Sequence, residues 1–304
     1  MNLISIHELE KDFIEEVFSK TAFLKGKEKQ EKLLPGKTLA LIFEKPSNRT
    51  RVSFEIAMFQ LGGYSVYLGQ SDIRLGEREP VKDVGKVLSR YVDGIVIRTF
   101  AHERVTEMAG SSTVPVINGL SNKLHPCQVL SDIYTIREKV GNRKIKVAFV
   151  GDGNNVAHSW LYASAKMGFD LVVACPPGCE PSPEIVREAL DTAKETGSGI
   201  EVIGNASEAV KDADVIYTDV WASMGEEDEI EERKGIFADF SVNDDLIGKA
   251  GKDVLVMHCL PAHRGEEITD SVMDGPNSIV FDQAENRMHV QKAILLLLLG
   301  GTHG

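Results

Sequence analysis

Ser47, Asn48, Arg49, Thr50 and Arg51 place two hydroxyls, an amide and two guanidiniums in five successive residues, shortly after the apolar run Thr38 to Phe43. Pro46 and Ser47 make a good helix opening, yet the first turn then carries cations where the positive end of the helix dipole favours carboxylates. A phosphate would offset them: backbone N–H groups and the Ser47 and Thr50 hydroxyls can donate to it, and guanidiniums can bind its oxygens in pairs. The alternative is a solvated helix start with two surface arginines. The segment is not a Walker loop, having neither the glycine pair nor the Gly-Lys-Ser/Thr ending.

Other polar residues also follow apolar runs, where ligands of open α/β sheets bind. Arg98 and Thr99 follow Gly94 to Ile97, and Asp152, Asn154 and Asn155 follow Ile145 to Val150. Asp219 follows Val215 to Tyr217, while His258 and Cys259 follow Val254 to Met257. The stretch Gly151-Asp152-Gly153-Asn154-Asn155-Val156 matches a dinucleotide fingerprint poorly, because Val156 replaces the third glycine and the next run ends in Cys175 and Pro176 instead of an acidic residue. A tight turn that points an asparagine into a crevice is the remaining use. His125 precedes a helical segment with Pro126, Cys127 and Gln128; it is either a packed or capping histidine, or a catalytic one if it converges with Arg98 on a developing charge.

The elements that must position these groups are short apolar strands alternating with helical segments. Further strands are expected at Val66 to Leu68, Val114 to Ile117, Leu171 to Ala174 and Ile279 to Phe281. Phe54, Ala57, Met58 and Leu61 share one helical face, Ser182 and Pro183 open a helix that runs to Gly197, and Leu124 to Gly141 forms a long helix. Ser5 with Glu8 reads as a capping box opening another. Unbroken apolar strands of this kind predict an α/β fold with parallel sheets flanked by helices. With 304 residues, two domains and a cleft between them are expected: 1–140 and 141–283, with a final helix over about 284–304 packing back on the first.

An excess of 46 acidic over 34 basic residues has the wrong sign for nucleic acid or an anionic membrane, so small molecules are the expected partners. The longest apolar run, Ala293 to Leu299, is far shorter than a membrane span. Cys127, Cys175, Cys179 and Cys259 show no disulfide framework spacing, which points to reduced thiols in a cytoplasm. Cys175 and Cys179 enclose Pro176, Pro177 and Gly178 without a second ligand pair nearby, so a loop is expected there, with no metal site.

Taken together, Ser47-Asn48-Arg49-Thr50-Arg51, His125-Pro126-Cys127-Gln128, Gly151 to Asn155, Asp219 to Gly225, His258 to Glu267 and Glu285-Asn286-Arg287 resemble the ornithine carbamoyltransferases, in order and spacing over nearly the whole chain. The resemblance implies transfer of a carbamoyl group from carbamoyl phosphate to the side-chain amine of L-ornithine, giving citrulline and phosphate without metal or organic cofactor. It also implies a homotrimer, sometimes stacked into larger shells. By the same resemblance Ser47, Asn48, Arg49 and Thr50 grip the phosphate, and Arg98, His125, Gln128, Arg287, Cys259 and the Leu260 backbone surround the carbamoyl group. Asn155, Asp219, Ser223 and Met224 position ornithine, with Cys259 beside the reacting amine. Arg49, Arg98, His125, Asp219, Cys259 and Arg287 are the expected catalytic set.

Two residues depart from the family pattern. Asn48 stands where threonine is usual, and Arg74 where a glutamine commonly reaches carbamoyl phosphate in a neighbouring subunit. Asp219 and the run Glu226, Glu227, Asp228 and Glu229 suit a diamino acid and would repel a dicarboxylate. The competing expectations are a carbamoyltransferase for another amine, such as putrescine, an acylated ornithine or aspartate, and a non-catalytic Rossmann-like binding protein.

Overall fold

The computed structural model of the chain describes residues 1–27, 31–222 and 230–300. The chain forms two units, one from Met1–Tyr134 and the residues from Asn286 onward, the other from Thr135–Glu285. The first holds α1 (Lys11–Lys25), β1 (Thr38–Phe43), α2 (Asn48–Leu61), β2 (Tyr64–Gly69), α3 (Gln70–Ile73), α4 (Val81–Leu88), β3 (Gly94–Arg98), α5 (His102–Ser111) and β4 (Val116–Leu120). The helix α6 (Pro126–Val140) leads into the second, which holds β5 (Lys146–Val150), α7 (Asn155–Met167), β6 (Asp170–Ala174), α8 (Pro183–Thr196), β7 (Ile200–Ile203), α9 (Ala206–Ala209) and β8 (Val215–Thr218). There follow α10 (Ile230–Ile236), α11 (Asp244–Ile247), β9 (Leu255–His258), α12 (Asp270–Met273) and α13 (Val280–Leu299), whose later part belongs to the first unit.

Both sheets are parallel, with strand orders β2-β1-β3-β4 and β7-β6-β5-β8-β9. Leu39, Leu41, Ile42 and Phe43 of β1 and all of β3 are buried, as strands covered on both faces must be. At roughly 1.5–3 kcal/mol for each large side chain removed from water, this burial fixes the register that sets Phe43 opposite Arg98. The strand order reverses between β1 and β3 in one sheet and between β5 and β8 in the other, where Val150 lies opposite Thr218. Residues following those four strands therefore gather in crevices at the carboxyl ends.

Two expectations for single elements fail, and one strand was not expected. Ile279 to Phe281 is not a strand: Ser278 makes one bridge to Val256, Ile279 N donates to Val256 O at 3.0 Å, and α13 starts at Val280. A short apolar run has no period that separates a buried strand from the first turn of a buried helix. Ser5 and Glu8 open no helix either. Leu3 bridges to Ile117 beside β4, Ile4, Ile6 and Leu9 are buried, and the helix begins only at Lys11, so docking of the apolar segment outweighs local capping. The strand β7, with exposed Glu201 at the sheet edge, has no counterpart among the expected runs.

Candidate active site

In the first unit, Ser47 caps α2, its Oγ accepting from Thr50 N at 3.3 Å, and no acidic residue occupies the first turn. Asn48, Arg49 and Thr50 are the first three helical residues, with Asn48 exposed and Arg49 half-buried. Arg49 Nε is shielded from solvent and has no hydrogen-bond partner among the described residues. Thr50 Oγ1 accepts from Ser47 Oγ at 3.0 Å and from Arg287 Nη2, so α13 brings a guanidinium to the start of α2. Arg51 does not join this set: its Nε pairs with Glu55 Oε1 at 3.0 Å and its guanidinium lies 3.8 Å from the centre of the Tyr67 ring.

Arg98 ends β3 and is buried, as are His125, Gln128 and Arg287. Burial first, then the Arg287 and Arg98 guanidiniums, push the His125 imidazole well below its ordinary pKa, so it is neutral near pH 7 and can still donate a ring N–H. Gln128 Nε2 donates to Asp132 Oδ1 at 2.8 Å, and its buried Oε1 has no hydrogen-bond partner among the described residues and can accept one. The set can thus hold an anion and donate to a polarised carbonyl.

In the second unit, Gly151-Asp152-Gly153 forms a packing turn. A Cβ on Gly153 would sit 2.2 Å from Pro181 N, and its own N–H donates to Cys179 O at 2.8 Å. Asn154 then caps α7, with Oδ1 accepting from Val156 N at 2.9 Å and Nδ2 donating to Asp219 Oδ2 at 2.9 Å. The other oxygen of Asp219 accepts from Val220 N and from Cys259 Sγ, each at 2.8 Å. The carboxylate is buried while the thiol is half-buried, and Asn155, also half-buried, starts α7 directly after the Asn154 that binds Asp219. The Leu260 N–H is committed to His258 Nδ1 at 2.8 Å, so its carbonyl is the backbone group left for a substrate.

Arg74 lies exposed at the end of α3 with φ 41, and its guanidinium makes no hydrogen bond or ion pair to any described residue. Ser223, Met224 and the acidic run Glu226 to Glu229 lie outside the described residues.

Residues 1–138 match the carbamoyl-P binding domain, and residues 143–298 the Asp/Orn binding domain, of the aspartate/ornithine carbamoyltransferase family. The chain belongs to that family. It is 56% identical over 274 residues to an ornithine carbamoyltransferase of Thermococcus kodakarensis, covering 90% of this chain and 87% of the relative. An ornithine carbamoyltransferase of Syntrophus aciditrophicus is 50% identical over 98% of this chain and 99% of its own length. The solved structure of the Pyrococcus furiosus ornithine carbamoyltransferase superposes with a TM-score of 0.95 at 52% identity, covering 99% of this chain and 97% of that one.

Within this carbamoyltransferase framework, the structure adds Glu44, which local sequence did not mark, and shows what holds His258, which it did. The buried Glu44 carboxylate accepts from Thr99 Oγ1 and from Arg104, tying the residue after Arg98 to the end of β1. His258 and Glu267 are both fully buried and meet at 3.0 Å beneath Cys259 and Leu260 in sequence. Because Nδ1 accepts from Leu260 N, Nε2 is the ring nitrogen that donates to Glu267. A charged residue at the end of an apolar run was the available signal for Glu44; its partners Thr99 and Arg104, like Glu267 for His258, are distant in sequence or follow no period.

Proposed function

We propose that the chain transfers the carbamoyl group of carbamoyl phosphate to the side-chain amine of L-ornithine, giving L-citrulline and phosphate in arginine metabolism. The observation that carries this reading is the division of chemistry between the two sheet reversals: cations and a neutral imidazole after β1 and β3, a carboxylate and a thiol after β8 and β9.

The donor phosphate takes N–H groups at the start of α2, the Ser47 hydroxyl and the Arg49 guanidinium, with Asn48 offering its backbone N–H and amide. Thr50, Arg98 and His125 donate to the carbamoyl oxygen, Gln128 Oε1 accepts from the carbamoyl NH2, and Arg287 adds charge beside them. The amine of ornithine, held neutral, attacks the carbonyl carbon. The tetrahedral oxyanion collapses as the C–O bond to phosphate breaks, and the surplus proton on nitrogen leaves with the phosphate. Aligned donors of this kind are each worth on the order of a hundredfold in rate. On the amine side, Asp219 and Asn155 orient ornithine together with Ser223 and Met224, Cys259 stands beside the reacting nitrogen, and the Leu260 carbonyl accepts from a substrate N–H. A buried carboxylate at this place favours a diamino acid over aspartate.

A homotrimer fits the exposed apolar face that α2 and the edge strand β2 present, with Val52, Ile56, Phe59, Tyr64 and Val66 open to solvent in the single chain. In such an assembly Arg74 reaches the donor site of a neighbouring copy. The four cysteines are free thiols, which suits a cytoplasmic enzyme.

Carbamoyl phosphate supplied with ornithine, putrescine, acetylated ornithine or aspartate tests the assignment. Citrulline is the expected main product; a faster reaction with any other amine would reject it.

A further inference from the structure

We propose that His263, Glu266 and Glu267 form a binding site for a divalent transition-metal ion of the zinc class, separate from the residues assigned to the two substrates. Their ligand atoms converge: His263 Nδ1 lies 3.9 Å from Glu266 Oε2 and 4.0 Å from Glu267 Oε2. Tetrahedral zinc with bonds of about 2.0–2.2 Å sets its ligands roughly 3.4 Å apart, so His263 needs to draw in by only about half an ångström toward each carboxylate, and all three ligand atoms already lie within 4.8 Å of one another. One imidazole and two carboxylates are a donor set for such an ion, with a fourth position open to water.

The decisive feature is Glu267. Its side chain is fully buried, and Oε1 is committed to His258 Nε2 at 3.0 Å and to the His263 backbone N–H at 2.6 Å. Oε2 is also buried and has no hydrogen-bond partner among the described residues. A carboxylate oxygen shielded from water without a donor is costly, and a cation between it and His263 supplies what is missing. The turn is preset for this. Gly265 adopts φ 87, its N–H donates to Ile268 O at 2.9 Å, and Glu266 N donates to His263 O at 3.0 Å, which folds three ligands from five successive residues around one point. His263 and Glu266 reach solvent, so an ion enters from outside with Glu267 at the floor. Lys234, 3.4 Å from Glu266 Oε1, offsets part of the negative charge and leaves Oε2 available.

Asp219, His258 and Cys259 also cluster. Their atoms are already spent, however: both ring nitrogens of His258 are hydrogen-bonded and the thiol donates to Asp219. The two locations have different spectroscopic signatures. Titration of the full chain with Co2+ is expected to show about one equivalent bound with visible d–d bands and no thiolate-to-cobalt charge transfer. His263→Gln and Glu266→Gln, both at solvent-reaching side chains, are expected to weaken binding by at least about tenfold, and Cys259→Ser to leave it unchanged. A thiolate charge-transfer band lost in Cys259→Ser, undiminished binding in His263→Gln, or no binding by the unaltered chain would each overturn the proposal.

Discussion

Thr50 concentrates several demands on one hydroxyl. Ser47 and Arg287 both donate to its oxygen, which fills the two lone pairs and leaves the proton for a third partner. Thr50→Val keeps the shape of this buried side chain and removes that donor, so kcat is expected to fall on the order of a hundredfold while the fold persists. Steady-state rates with both substrates saturating decide it, and a wild-type kcat would remove Thr50 from the oxyanion set. Cys259→Ser is expected to raise the KM for ornithine with carbamoyl phosphate affinity retained; the opposite split would place the thiol with the donor. His125 makes a pH prediction. Its pKa is depressed in the folded chain, by burial and then by Arg287 and Arg98, and is ordinary, about 6.5, in the unfolded one. Below that value the unfolded chain binds the extra proton, so stability declines as pH falls from about 6.5, whereas above it this group adds no slope. Urea unfolding at two acidities checks this: His125→Gln should lose less stability between pH 7 and pH 5 than the unaltered chain, as about one proton's linkage disappears.

At the scale of elements, Asn154 serves α7 and Asp219 at once. Asn154→Ala is expected to cost about 1 kcal/mol through the lost cap and to raise the ornithine KM. Asn154→Ser retains a capping oxygen and cannot reach Asp219, so it should recover most of the stability and none of the KM. If both variants restore or lose the two properties together, cap and carboxylate are not separately served. The cap-and-strand logic was readable from sequence because it is local: five successive apolar residues after Thr38 give β1, and Ser47 and Asn154 sit where helix starts meet strand ends. What escaped was non-local. β7 pairs its edge through backbone while its side chains are half-exposed, Val280 joins a helix whose start looks like a strand, and Glu44 finds Thr99 and Arg104 across 55 and 60 residues. Arg51 shows the same limit from the other side, since its spacing matches Arg49 but Glu55 and Tyr67 claim it.

For the whole molecule, the exposed α2 and β2 face predicts the assembly. Replacing Val52 and Phe59 together by Asp is expected to release monomers, measured by sedimentation, because both side chains are more than half exposed in the single chain and a charge there opposes burial between copies. An unchanged sedimentation coefficient would place the contact elsewhere. One contact inside the first unit has a different reach. Arg287 of α13 donates to Thr50 of α2 across 237 residues. The start of α2 therefore gains this guanidinium only once α13 has returned to the first unit, and a fragment cut before α13 keeps the Ser47 cap without it.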